Sequence, residues 1–224
     1  MTRNHTMDER AGDTIVSRSV DRRRLFGIAV GLGAAAAVPH GFFGSSLAAG
    51  AQGPVVSLPA GRHTWLLDAP DALRPDAPGA PTEAEVDELL AFQAERAGDM
   101  VRTVEAWASP AAVIPWNDLG MRLASEFFPP GLFGLRAQAL LRTAMSDAVI
   151  AAIEAQEAIA RPAPAVADDR IEPIGAGAGS GFSFPSLHAT VAGAASTVLA
   201  YLFPDASDDF GALADEATTS RLWA

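Results

Sequence analysis

From Gly131 to about Ala160 the chain is apolar on most sides of a helical wheel, through Leu132, Leu135, Leu140, Leu141, Met145, Val149, Ile150 and Ile153. A helix with so little polar surface is stable in water only when other elements enclose it. The remaining segments must therefore build a shell around this one. An alanine-rich composition with a single tyrosine favours packed helices for that shell, so the fold class expected is all-α. Asp147 lies inside the stretch, and a buried carboxylate must be paired or hydrogen-bonded, which points to a structural role. The run ends at Arg161-Pro162-Ala163-Pro164, where proline prevents continuation. Arg161 is left at the exit of a buried helix, its guanidinium able to turn toward a site.

The 224 residues suffice for one domain with a proper core. A net charge of −11 argues against nucleic acid as a partner, because affinity for it rests on basic contacts to phosphate. There is no lysine, so all 16 cationic side chains are arginine. Any anion site must use arginine, backbone amides and histidine. The absence of cysteine excludes disulfides, thiolate metal sites, a cysteine nucleophile and a lipoprotein anchor. His63 has no His, Asp or Glu at ligand spacing and reads as structural or exposed; no metal site is expected.

Residues 1–51 read as a targeting segment. Asp21-Arg22-Arg23-Arg24-Leu25-Phe26 pairs arginines with large apolar residues, Gly27 to Val38 is a short apolar run, and Ser46-Leu47-Ala48 or Ala49-Gly50-Ala51 offers a small-residue cleavage site. The pattern resembles a twin-arginine export signal, which places the mature protein in the periplasm or outside the cell. The apolar run is too short and interrupted to span a bilayer comfortably. No other segment is long and apolar enough, so no stable span is expected after signal removal.

Residues 52–81, dense in Pro, Gly, Ala and Asp, form an irregular lead-in. The helical domain, 82–224, opens at the capping box Thr82-Glu83-Ala84-Glu85, with a helix expected to run to about Ala108. Val86, Leu90, Ala97, Val101, Val104 and Trp107 form its stripe, with Glu83, Asp87, Glu88, Glu95 and Arg96 largely on the solvated face. Pro110 and Pro115 close that section, and Trp116 opens a shorter helix through about Phe128. After the long helix, Ala165 to Gly181 is a loop whose glycines make no dinucleotide fingerprint. A helix Ser186–Phe203, a turn over Pro204–Asp209 and a last helical pattern through Phe210, Leu213, Ala217 and Arg221 follow. The pattern stops, still apolar, at Leu222-Trp223-Ala224, as if cut.

Chemistry concentrates at Ser183-Phe184-Pro185-Ser186-Leu187-His188. Ser186 is placed as the N-cap of the next helix, whose first amides and dipole favour an anion in front of them. His188 lies in the first turn, with a ring that gives or takes protons near neutrality. A helix start, a hydroxyl and a histidine together suggest a phosphate-type site.

Arg161-Pro162, then Pro185-Ser186-Leu187-His188, then Ser220-Arg221, each at a helix end, resemble the three-part signature of the type-2 phosphatidic acid phosphatase and vanadium haloperoxidase superfamily. Pro115-Trp116-Asn117, Ser146-Asp147-Ala148 and Ser220-Arg221-Leu222-Trp223-Ala224 resemble its exported bacterial members. The resemblance implies a compact helical bundle of that type. It implies that Arg161 and Arg221 grip the equatorial oxygens of phosphate or vanadate, that Ser186 and nearby amides such as that of Leu187 complete the cradle, and that His188 is the general acid protonating a leaving alkoxide. The implied partner is a small-molecule phosphate ester or oxyanion; a phosphatase needs no cofactor, a haloperoxidase needs vanadate.

Two departures accompany it. Gln156 stands where the family's first motif carries lysine, and Leu187 replaces the usual glycine of the second. The family's nucleophilic histidine falls roughly one to two helical turns past Ser220-Arg221, beyond the last residue here. The expectation is an exported phosphatase shortened at its C-terminus and inactive as it stands. Alternatives are a vanadate-dependent haloperoxidase on the same scaffold and a non-catalytic anion-binding protein.

Overall fold

A computed structural model describes residues 63–108, 112–128, 130–175 and 181–224. The export-like segment 1–51, the first part of the lead-in, Pro110 and most of the glycine-rich run before Gly181 lie outside these residues. The described chain is all-α: α1 (Glu83–Ala94), α2 (Gly98–Trp107), α3 (Val113–Phe127), α4 (Leu132–Ile159), a single turn α5 (Pro164–Ala167), α6 (Leu187–Leu202) and α7 (Ser207–Trp223). A 3-10 turn over Pro204–Ala206 joins the last two. None of the described helices is long and apolar enough to cross a membrane.

The capping box forms as expected, with Glu85 N–H donating to Thr82 Oγ1 at 3.3 Å and Thr82 N–H donating to Glu85 Oε2 at 2.7 Å. The helix behind it does not reach Ala108 without interruption. Glu95 closes α1, Ala97 is extended at φ −113° and ψ 170°, and Gly98 restarts the helix as α2. Arg96, expected on a solvated face, sits in the break. It donates Nη1 to Glu172 O at 2.6 Å and Nη2 to Ala224 O at 3.2 Å.

α3 also starts earlier than Trp116. Pro115 lies in its first turn, where the missing N–H has no helical acceptor to lose. Trp116, Leu119 and Leu123 recur at helical period and are all buried. Gly120 in the same stripe brings α3 close to α4: a Cβ there would overlap Leu141 Cδ2.

α4 is the central helix, burying Leu141, Met145, Ile150 and Ile153. Its first turn departs from expectation, with Leu132 82% and Leu135 67% exposed. That turn extends beyond the elements that cover the rest of α4. Asp147 is buried and accepts three backbone N–H groups, from Trp65 at 2.9 Å, Leu66 at 2.6 Å and Leu67 at 3.1 Å. The described part of the lead-in is thereby docked on α4, and Arg74 bonded to Glu154 holds it a second time. His63 is exposed, its ring edge-on to Trp65 at 5.9 Å.

α6 and α7 form a hairpin against α4 and α3. Val191, Ala192, Ala195 and Leu199 from α6 meet Phe210, Leu213 and Ala217 from α7 in the core. Fully burying a Leu or Phe side chain contributes about 1.5–3 kcal/mol, so these positions dominate cohesion. At the turn of the hairpin Phe127, Phe128 and Phe210 surround Phe203, with ring centroids 5.4–6.2 Å apart. Trp107 donates Nε1 to Glu216 at 2.9 Å and packs on Trp116, fastening α2 to α7. With the phenylalanines at the turn, the open end of the hairpin brings the start of α6 and the finish of α7 to the opposite end of the bundle.

Candidate functional site

The site is built where α4 stops. Ala160 takes the left-handed conformation at φ 53° and ψ 34°, and its N–H closes the helix on Gln156 O at 2.8 Å. This turn sends Arg161-Pro162-Ala163 out as an extended strip. The strip pairs antiparallel with Gly181-Phe182-Ser183 through the Pro162–Phe182 bridge, with Ala163 N–H on Gly181 O at 3.1 Å and Ser183 N–H on Arg161 O at 2.9 Å. Ser183 Oγ adds a bond to Pro162 O at 3.0 Å. Gly181 sits at φ +77°, which only glycine adopts readily. The first two motif segments, far apart in sequence, are thus joined backbone to backbone.

Gln156, one turn before the end of α4, donates Nε2 to Pro185 O at 2.7 Å. Expected beside the oxyanion in place of a lysine, it instead ties the second segment to the helix through this donor. Its position is one of support. Pro185 follows a cis peptide bond from Phe184, and Ser186 then caps α6, its Oγ accepting Ala189 N–H at 3.3 Å. Because Oγ acts there as acceptor, its hydroxyl proton can still be donated to a ligand. Leu187 and His188 occupy the first turn of α6, whose leading N–H groups have no helical acceptor. Nε2 of His188 is withdrawn from solvent.

Arg161 is held by an acid that no local pattern marks as part of the site. Its Nη2 donates to Glu85 Oε1 at 2.8 Å, and its side chain is only 17% exposed. The Arg161 guanidinium, helped by the N–H and hydroxyl of Thr82, lowers the Glu85 carboxyl to about 2. Arg161 Nε is out of solvent with no acceptor among the described residues.

Arg221 lies in the last turn of α7, at the same end of the hairpin as Ser186 and His188. Its Nε and Nη2 are both withdrawn from solvent and neither has an acceptor among the described residues. Burial alone pushes its pKa down. Unpaired buried guanidinium N–H groups are costly, and an anion is the ligand that offsets the cost. Ser220, its neighbour in the third motif, is buried and spends its hydroxyl on Ala217 O at 2.7 Å. It is a packing residue of α7.

Beside this end of the bundle runs an apolar groove of about 440 Å³ between the lead-in, α4 and α6. Leu67, Ala151, Ala155, Pro185 and Thr190 line it, so it shares Pro185 with the site. Among the described residues no group of His, Asp and Glu is arranged to hold a metal ion.

Arg161, Gln156 and Ser186 are therefore joined by direct bonds or by one short strip of backbone, and the α6–α7 hairpin carries Arg221 to the same end. Glu85 was not legible as a partner, since it lies 76 positions from Arg161 and looks complete as a helix cap. No family model matches this chain, and neither curated proteins nor solved structures provide a match.

Proposed function

We propose that this chain binds a tetrahedral oxyanion of phosphate type, at the end of a bundle like that of the phosphatidic acid phosphatase and haloperoxidase superfamily its motifs resemble. The observation that carries the reading is Arg221, a guanidinium with two N–H groups out of solvent and no acceptor for either among the described residues. Arg161, with a third such N–H, and the capped start of α6 support it. In this reading the arginines hold the equatorial oxygens in charge-assisted bonds. Ser186 Oγ–H and the amides of Leu187 and His188 supply neutral donors to the remaining oxygens. Vanadate offers the same tetrahedral set of oxygens and fits the same donors.

His188 in the first turn of α6 has the chemistry of a proton donor to a leaving alkoxide. In this reading the arginines and Ser186 grip the anion and His188 protonates the leaving group. The class of reaction such a site serves is phosphate-ester hydrolysis, governed by positioning and charge stabilisation. The paired arginines Arg22-Arg23 ahead of an apolar run support export.

Calorimetric titration of the chain with inorganic phosphate and with orthovanadate tests the reading. The expected result is saturable binding that falls at least tenfold in Arg221→Ala and in Arg161→Ala. Equal affinity in all three proteins would refute it.

A further inference from the structure

We infer that Glu85 is a built-in competitor for the oxyanion, so that α1 acts as a latch that a bound anion must displace from Arg161. The inference rests on the anion-binding reading above. Arg161 bonds a carboxylate from within the same chain, Nη2 to Glu85 Oε1 at 2.8 Å. The carboxylate is aimed rather than floppy: its other oxygen, Oε2, accepts the N–H of Thr82 at 2.7 Å and the hydroxyl of Thr82 at 3.0 Å. One residue thus closes the start of α1 and covers the arginine.

The covering is incomplete in a way that favours exchange. Glu85 takes one guanidinium N–H, while Arg161 Nε stays out of solvent without an acceptor. A tetrahedral anion approaching the edge of the guanidinium bonds two N–H groups at once. It therefore satisfies the group that Glu85 leaves unmet.

α1 is also built to let go at one end. Val86 is its only buried residue. Its far end is clamped: Gln93 exchanges bonds with Arg170 O at 3.1 Å and Glu172 N–H at 2.7 Å, and Arg96 grips Glu172 O and Ala224 O just beyond it. The near end carries the Arg161 contact. Helix segments with little buried apolar surface open at low cost, so release of Glu85 costs the first turn of α1 the burial of Val86 and of no other side chain of that helix.

The test uses the full 224-residue chain, titrated with inorganic phosphate, as wild type, Glu85→Gln, Thr82→Ala and Arg161→Ala. Glutamine keeps the length and the cap acceptor but not the charge. Removing an exposed charge partner of this kind shifts affinity by roughly two- to fivefold, so Glu85→Gln should bind phosphate that much more tightly. Thr82→Ala removes one of the two bonds that aim the carboxylate while keeping its charge and the Thr82 N–H bond, and should gain less affinity than Glu85→Gln. In wild type, phosphate should raise hydrogen exchange of the α1 amides from Glu85 to Leu90. Phosphate binding that is unchanged or weaker in Glu85→Gln overturns the latch and leaves the anion site standing. So does an equal gain in Thr82→Ala, or phosphate binding without faster exchange in α1. Absence of phosphate binding from wild type and Glu85→Gln alike refutes both the latch and the site beneath it.

Discussion

The carboxylate of Asp147 accepts the backbone N–H of Leu66 at 2.6 Å, joining residues 81 positions apart. Trp65 and Leu67 donate to the same carboxylate. A single ionised side chain in the middle of α4 therefore docks the segment that precedes the helical domain, and it does so by accepting three successive backbone N–H groups. Burial of Asp147 pushes its carboxyl pKa up, but the three N–H donors outweigh this and hold it below its ordinary value of 3.8.

Asp147→Asn should lower stability by about 2–3 kcal/mol, because the amide replaces one acceptor oxygen with a donor that faces N–H groups. The sign with pH follows from the depressed pKa. The unfolded chain binds the proton first, so Asp147 stabilises fully above the ordinary carboxylate value and progressively less as pH falls below it. Glu85 and Asp168, both lowered to about 2, act in the same direction. Urea midpoints measured from pH 6 to pH 2 should fall with acid in wild type and fall less steeply in Asp147→Asn.

Gly120→Ala should destabilise by about 1–3 kcal/mol. The new methyl overlaps Leu141 Cδ2, and Leu141 is itself packed in the buried core. The gain in helix propensity, up to about 1 kcal/mol, offsets only part of this. Thermal melts of Gly120→Ala alone and combined with Leu141→Ala should show the two substitutions compensating each other.

Ala160→Gly should stabilise by about 1 kcal/mol, although it lies at the end of the longest helix. Ala160 holds a left-handed conformation that costs a non-glycine residue about that much. Urea midpoints compare the two proteins. Phosphate affinity should be unaltered, since the backbone path into Arg161 is the same.

Arg221→Met should raise stability by about 1 kcal/mol while abolishing anion binding. The methionine fills much of the same volume and removes buried N–H groups that have no acceptor. Stability and titration with phosphate, measured on one preparation, should move in opposite directions. A destabilised Arg221→Met would mean that the guanidinium is satisfied in the resting protein.

Much of the fold could be read from local chemistry. The apolar run through α4, the Thr82 capping box, the Ser186 cap and the proline after Arg161 each act over a few residues. Their physics is complete within one turn of helix. The break between α1 and α2 was not legible, because Arg96 leaves the helix for carbonyl groups at Glu172 and Ala224 that exist only once the chain has folded back. Nor was the exposure of Leu132, since apolarity marks what a helix can bury and not whether a neighbour reaches that far.

The candidate site divides along the same line. Ser186 and His188 stand out locally as groups suited to an anion at a helix start, whereas Arg161 and Arg221 were marked as its grip by the resemblance in motif order, in a chain that has no lysine or cysteine. Tertiary structure decided their company. It gave Gln156 to the Pro185 carbonyl, Glu85 to Arg161 and no acceptor to two N–H groups of Arg221. Helix starts and stops arise from bonds between near neighbours, whereas the partner of a charged side chain depends on which distant segments the packing of apolar faces brings within 3 Å, and that is a property of the assembled bundle.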